Sequence, residues 1–463
     1  GVLVRNAHDD QWEDVLRMAT GHARPRERAA LLRQLLDRAA EDALHRDRIH
    51  LVAAACLENA TELDPSVRED VVDHMARLIP PRDAEQGKAL AVGGAPVLSM
   101  LPGPLGLDDD SALGVVHAAT AIGGDAAIPL LSQYASHPSI HVRSQLVRSW
   151  ERFGARAYAG AVLSRLTYDD DLRFIATSPE QLVLLGDLGG RPRIECSGPF
   201  SQGDLGLLPT AGLVELRLHE NPNPVDLNLV TAARELRSLW ISNCPGEIDL
   251  RPLVGSSIRS LSLNGECRLT SVASIAQASS LEVLDCLHAI IEGGPPRNRL
   301  PVPPGLRALL MGPGAFSGAA LHGLDRCTRL QRLAFDAKSV SAWRRPELGR
   351  LTQLTTLSIA HDDLNLITAT LPGPLPSVEN LELFEPGGLA SLSKLASTYP
   401  RLKRLTIDWA RRPTEPFDVD ALAPLHGCRV DLYNPGSVTA RQIPLTEPLP
   451  LATGGVSYRI RIP

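Results

Sequence analysis

The stretch LTQLTTLSIAHDD, Leu351 to Asp363, sets Leu354, Leu357 and Ile359 at the offsets L-x-x-L-x-I. In an extended chain alternate side chains share a face, so Leu357 and Ile359 point one way and Ser358 the other. The same frame recurs at Leu213-Leu216-Leu218, Leu236-Leu239-Ile241, Ile258-Leu261-Leu263, Leu281-Leu284-Cys286, Leu306-Leu309-Met311, Leu330-Leu333-Phe335, Val378-Leu381-Leu383 and Leu402-Leu405-Ile407. A weaker copy stands at Val430 and Leu432, and Ile194 with Cys196 in RIECSG reads as a degenerate first strand. The central residues follow one another at roughly 22 to 25 positions, so the pattern is a period and not a local accident.

A period of that length with that frame resembles the leucine-rich repeat. Each unit leaves its apolar face wet when alone, so neighbours must stack into a solenoid. Segments such as DLRPLVGSS and DVDALAPLHG carry a further leucine back to the core and read as short helical or irregular returns. A regular repeat has Asn or Cys three residues after the frame. Asn221 and Cys244 obey, whereas Glu266, Ala289, Gly314, Lys338 and Asp362 do not, which predicts an irregular, loosely laddered horseshoe.

The chain has 463 residues, enough for more than one domain, and a formal net charge of -6, which argues against a nucleic-acid or anionic-membrane surface spread over the whole molecule. Short basic runs such as SAWRRPEL and DWARRPTEP read as solvated faces. No apolar run approaches the roughly 20 residues of a membrane span, and no signal-peptide pattern opens the chain. Its first residue is Gly, and it reads as the later portion of a longer protein. The seven cysteines include no C-x-x-C pair; Cys196 and Cys286 sit in frame positions and Cys244 in the ladder position. That usage favours a reduced, cytoplasmic protein.

Before about Ser178 the period changes from strand-like to helical. RPRERAALLRQLLDRAAEDAL puts Ala29, Leu32, Leu36 and Ala40 on one stripe. Further helical runs follow, with Asp64, Asp110 and Asp125 placed as N-caps. The segment from Ser111 to Gly154 resembles HEAT-type helical repeats through Gly123-Gly124, Pro129 and the Val142-Arg143 pair. The expected fold is therefore an α+β solenoid: all-α HEAT-like helices over residues 1–178, leucine-rich repeats over 179–440, and a cap or tail over 441–463.

The opening AHDDQWEDVLRMATGHARPRERAALLRQLLDRA resembles the region that follows the nucleotide-binding module of actinobacterial NACHT-type signalling ATPases, through Trp12, Val15, Leu16, Ala19 and Gly21. The resemblance implies the C-terminal sensor of a bacterial NLR-like protein of the STAND class, associated with anti-phage defence. It implies a protein trigger, a phage protein among the candidates, restraint of the chain's own upstream NACHT module, and oligomerisation of the full-length protein on activation. ATP and Mg²⁺ would belong to that module. A phosphate loop needs G-x-x-x-x-G-K-[ST], yet Gly87-Lys88 is preceded by Arg82 at the first glycine position and followed by Ala89. No cofactor is expected in this chain.

Catalytic spacings are missing as well: there is no H-E-x-x-H, G-x-S-x-G or G-x-G-x-x-G. SLSK, Ser391 to Lys394, falls in a return segment. The acidic runs at Asp108 to Asp110 and Asp169 to Asp171 more simply start helices than hold a cation. His137 and His141 flank a turn at Pro138, and His219 and His288 lie on different repeats. The chain reads as non-enzymatic and without a metal site.

Function is then expected on the strand residues that alternate with the core frame. Large aromatics are rare at 4% of the chain. Arg217 and His219 lie beside Trp240, while Phe384, Trp409 and Tyr433 fall on three consecutive repeats flanked by Glu382, Arg404, Asp408 and Asp431. Aromatic and Arg residues dominate interface hot spots. These ten residues form the expected protein-binding patch; coverage by the tail segment YRIRIP, or simple surface exposure, are the alternatives. The reading is a ligand-sensing and autoinhibitory module, the alternative being a constitutive interaction scaffold.

Overall fold

In the computed structural model, described for all residues except 167–170, 293–301, 313–323, 336–345, 361–373, 385–391, 393, 410–412, 414–415, 446–447, 451–455 and 463, the chain divides into two compact units, Gly1–Gly189 and Gly190–Pro463.

The first unit is helical, with one short strand, β1, at Phe174–Ala176. Its helix Pro25–Glu41 buries Arg28, Ala29, Leu32, Leu35 and Ala39, while Ala40 is exposed. The buried stripe is thus turned by one residue from the expected one along its later half. Arg28 helps to fix the rotation. Its guanidinium donates to the carbonyls of Thr20, Gly21, Ala23 and Glu62 at 2.8 to 3.2 Å, satisfying acceptors that the end of helix Glu13–His22 leaves open. Asp64 caps the helix Pro65–Ala76 through Ser66 N. In the acidic run the cap is Asp108, which accepts from Ser111 N, rather than Asp110, and Asp125 lies inside a short 3-10 turn capped by Gly124. The backbone N–H of Ser111 holds the Asp108 carboxyl below the usual carboxylate range.

Gly87, the glycine of the failed phosphate loop, has a packing role. Helix Ala84–Leu90 crosses helix Asp109–Ile122 where a Cβ on Gly87 would lie 2.1 Å from the Gly114 carbonyl oxygen, and one on Gly114 would lie 2.5 Å from that of Asp83. Only a pair of glycines lets the backbones approach so closely.

The second unit is built on parallel strands: β2 (Arg193–Ser197), β3 (Glu215–His219), β4 (Ser238–Asp249), β5 (Ser260–Thr270), β6 (Val283–Glu292), β7 (Ala308–Met311), β8 (Arg332–Phe335), β9 (Thr356–Ala360), β10 (Asn380–Phe384) and β11 (Arg404–Asp408) lie side by side in chain order. Then comes β13 (Arg429–Tyr433); β12 (Phe417–Asp418) and β14 (Val438–Thr439) form a separate parallel pair. Beyond β13 lie β16 (Val456–Arg461), antiparallel to β13, and β15 (Leu449–Pro450), antiparallel to β16.

The register stacks the frame residues on one another: Leu216, Leu239, Leu261, Leu284, Leu309, Leu333, Leu357, Leu381, Leu405 and Val430 form one continuous row. Every frame residue on these strands is at most 4% exposed. Period-2 alternation turns each of them inward, and stacking dries the row. Leu253 and Leu422 return to the core from short 3-10 turns, Arg251–Leu253 and Val419–Leu422.

Among the described side chains the ladder departs from expectation in one place; Ala289, Gly314, Lys338 and Asp362 lie outside them. Asn221 and Cys244 are buried as expected, but in the next repeat the position falls to Cys267, paired with Cys244, and Glu266 stays exposed. Register shifts between β4 and β5 absorb the extra residue. The Cys244 and Cys267 thiols donate to the carbonyls of Ser242 and Asn264 at 3.3 and 3.5 Å.

Candidate protein-binding face of the sheet

Side chains that alternate with the core frame stand in rows across the other face of the sheet, one per repeat at the strand spacing of about 4.8 Å. The first row runs Arg193, Glu215, Ser238, Ser260 and the second Glu195, Arg217, Trp240, Ser262. Glu215 is 8% exposed, accepts from Arg217 Nε at 2.7 Å and pairs with Arg193 Nη1 at 3.1 Å. So held, the Arg217 guanidinium lies 4.7 Å from the Trp240 ring centre. This is a cation–π stack on neighbouring strands, with both side chains still half open to solvent. His219, one row on, faces Glu220 at 3.4 Å.

Toward the far end, Glu382 bridges Arg332 at 3.1 Å and accepts from the Ser358 hydroxyl. Phe384 is 40% exposed. Its row continues through Asp408 to Tyr433, in strict register. Burial raises the Asp408 carboxyl above its ordinary range.

Trp409 does not join that row. It is 4% exposed and meets Phe417 edge-on with ring centres 5.2 Å apart. A shift of one residue along a strand moves a side chain to the opposite face, and Trp409 follows the outward Asp408 by one. The expected three-aromatic column is therefore Phe384, Asp408, Tyr433, and Trp409 is core.

Asp431 is not an exposed contact residue either. At 3% exposed it receives Arg404 Nη2 and Nε at 2.7 and 2.9 Å, Arg429 Nε at 3.4 Å and Arg459 Nε at 3.2 Å. Three strands, β11, β13 and β16, each deliver one guanidinium to it. Arg429 and Arg459 are absent from the expected patch, although the alternation in RVDLY and YRIRI carries both to the outer side. The tail does fold back, but as a strand: Val430 pairs with Ile460 and Asp431 with Arg459, so it seals the sheet edge rather than covering the rings.

Among the described residues no group of three or more His, Cys, Asp or Glu is placed to hold a metal ion, and no helix is long and apolar enough to cross a membrane. His288, Ser391 and most of the second acidic run lie outside the described side chains. His137 is buried, taking Ser139 N on Nδ1 at 3.2 Å, while His141 is exposed.

The decisive observation is the continuous row of central frame residues from Leu216 to Val430, with Asn221, Cys244 and Cys267 buried beyond the frame. Residues 190–463 build a parallel β-solenoid on a frame like that of leucine-rich repeats. The chain is similar in part to solved structures: an internalin from Listeria monocytogenes (16% identity, 60% of this chain and 70% of that one, TM-score 0.30), a leucine-rich-repeat protein of Leptospira interrogans (15%, 62% and 75%, 0.31) and the leucine-rich-repeat domain of APL1B (15%, 63% and 92%, 0.31). No protein-family model and no curated protein sequence matches the chain. The likeness to leucine-rich repeats rests on the chain's own frame and on the strand register.

Proposed function

We propose that the leucine-rich-repeat region binds a protein through the outer face of its sheet. The observation that carries this is the Arg217–Trp240 stack, fixed from behind by the buried Glu215. A pre-set aromatic and guanidinium lose little freedom on binding, which is what a hot spot requires. Phe384 and Tyr433 supply a second aromatic site in one row.

Within this reading the chain is the sensor and autoinhibitory region of a NACHT-type STAND ATPase, with HEAT-like helices preceding the repeats. Support comes from the opening motif around Trp12 and Leu16 and from the order of helices before repeats. The chain itself would be non-catalytic and cofactor-free, its partners a protein trigger and the upstream ATPase module, its setting the cytoplasm. A trigger opens the restrained state only by binding the open form more tightly than the closed one.

Affinity capture from phage-infected and uninfected host lysates tests it, using wild type beside a folded Trp240→Ala, Phe384→Ala, Tyr433→Ala variant. Trp409 is left intact because its ring is core. A protein retained only from infected cells and lost with the variant supports the sensor; identical retention from both lysates by both proteins points to a scaffold.

A further inference from the structure

We infer that the leucine-rich-repeat region carries an oxyanion site for a small phosphate-bearing compound, in a groove at the N-terminal ends of β4 to β8. The groove is open to solvent, has a volume of about 260 Å³ and begins one residue before the first outer-face row, Arg237 and Arg259 preceding Ser238 and Ser260. Its lining brings together Arg237, Arg259 and Arg329 with Ser257, Ser279 and Ser280.

The register builds it. Arg237, Arg259 and Glu282 each stand one residue before a strand, and their backbones are linked in sequence, Arg259 N to Arg237 O and Glu282 N to Arg259 O, both at 2.8 Å. Arg237 and Arg259 are thus neighbours at the strand spacing of about 4.8 Å. Like charges on adjacent strands oppose folding unless something lies between them.

The protein supplies little that does. Glu282 is the one carboxylate in the lining, and it pairs with Arg307, at the next position along the row, at 3.6 Å. Among the described residues no carboxylate forms an ion pair with Arg237, Arg259 or Arg329. Arg237 is also held in place, its Nη1 donating to the carbonyls of Arg234 and Leu236 at 3.0 and 3.3 Å.

Three guanidiniums and three hydroxyls form a donor set matched to a tetrahedral oxyanion, since the guanidinium fork pairs two N–H groups with two phosphate oxygens. The volume suits a phosphate with a small body attached, being below the roughly 300 to 1,000 Å³ of most ligand pockets. A polymer is disfavoured by the chain's net charge of -6, which repels a polyanion outside the groove.

Calorimetric titration of the full chain with inorganic phosphate, at constant ionic strength in chloride, tests the site. Wild type should show saturable binding, weakened about tenfold or more in Arg259→Gln and in Arg329→Gln and unchanged in Arg429→Gln on the outer face. Without phosphate, Arg259→Gln should leave the thermal unfolding midpoint where it is or raise it, since a repulsion is relieved. With phosphate, wild type should gain stability that the variant does not. Absence of saturable phosphate binding, equal binding by all four proteins, or binding of a single-stranded RNA oligonucleotide in place of phosphate would overturn the site.

Discussion

Leu357 and His50 show how one side chain's surroundings set its worth. Leu357 is 0% exposed, wedged between Leu333 and Leu381 in the stacked row. Leu357→Ala removes three carbons from a place that backbone register keeps from collapsing, and should cost about 2–5 kcal/mol in urea unfolding. His50, 7% exposed, lies 4.6 Å from the ring of His74. Burial first, then the charge of His74 with Arg46 and Arg77, against the opposing Asp47, pushes its imidazole down to about 4. The unfolded chain then takes up a proton at higher pH than the folded one. The stability that neutral His50 contributes is whole above about pH 6.5 and drains as pH falls toward 4, by about 3 kcal/mol at most. His50→Gln should flatten the unfolding free energy over that window relative to wild type; parallel curves would remove His50 from the account.

Elements carry the constraints that single residues do not show. Gly87→Ala places a methyl against the Gly114 carbonyl and must push the crossing helices away from each other, an overpacking of about 1–3 kcal/mol seen as a lowered unfolding midpoint. Strand elements are legible in the sequence because a period of two and a longer period of 22 to 25 coincide in the same leucines. Legibility fails where one residue of phase matters. The pattern alone sets Trp409 outward although it is core, gives Glu266 the ladder place that Cys267 fills, and favours Leu36 and Ala40 over the buried Leu35 and Ala39. In the helix a tertiary contact, the carbonyl cluster around Arg28, sets the phase, and no local pattern records it. The groove arginines are hidden in the sequence for a different reason. Arg237, Arg259 and Arg329 are scattered along the chain and converge only once the register is known.

At the scale of the molecule, the repeat region is a stack whose strands pair only with their neighbours, so its ends need special treatment. One end is treated by β16, which pairs with β13 and sends Arg459 to Asp431. Deleting residues 456–463 should bare the hydrogen-bonding edge of β13 and take one of three cations from a buried carboxylate. Such edges template association, so the truncated chain should run as oligomers in size-exclusion chromatography with light scattering. A truncated monomer of unchanged stability would make the strand dispensable.

That reversed strand also bears on how such a chain can change over generations. A parallel repeat can be extended by another parallel repeat, but on β13 that place is taken by the antiparallel β16, itself paired with β15 on its other side. It is a stop signal for lengthening. Whole repeats gained or lost between β7 and β10 would alter the size of the outer face while leaving the terminator and the Arg217–Trp240 stack as they are, so copy number is a variable open to selection independently of both.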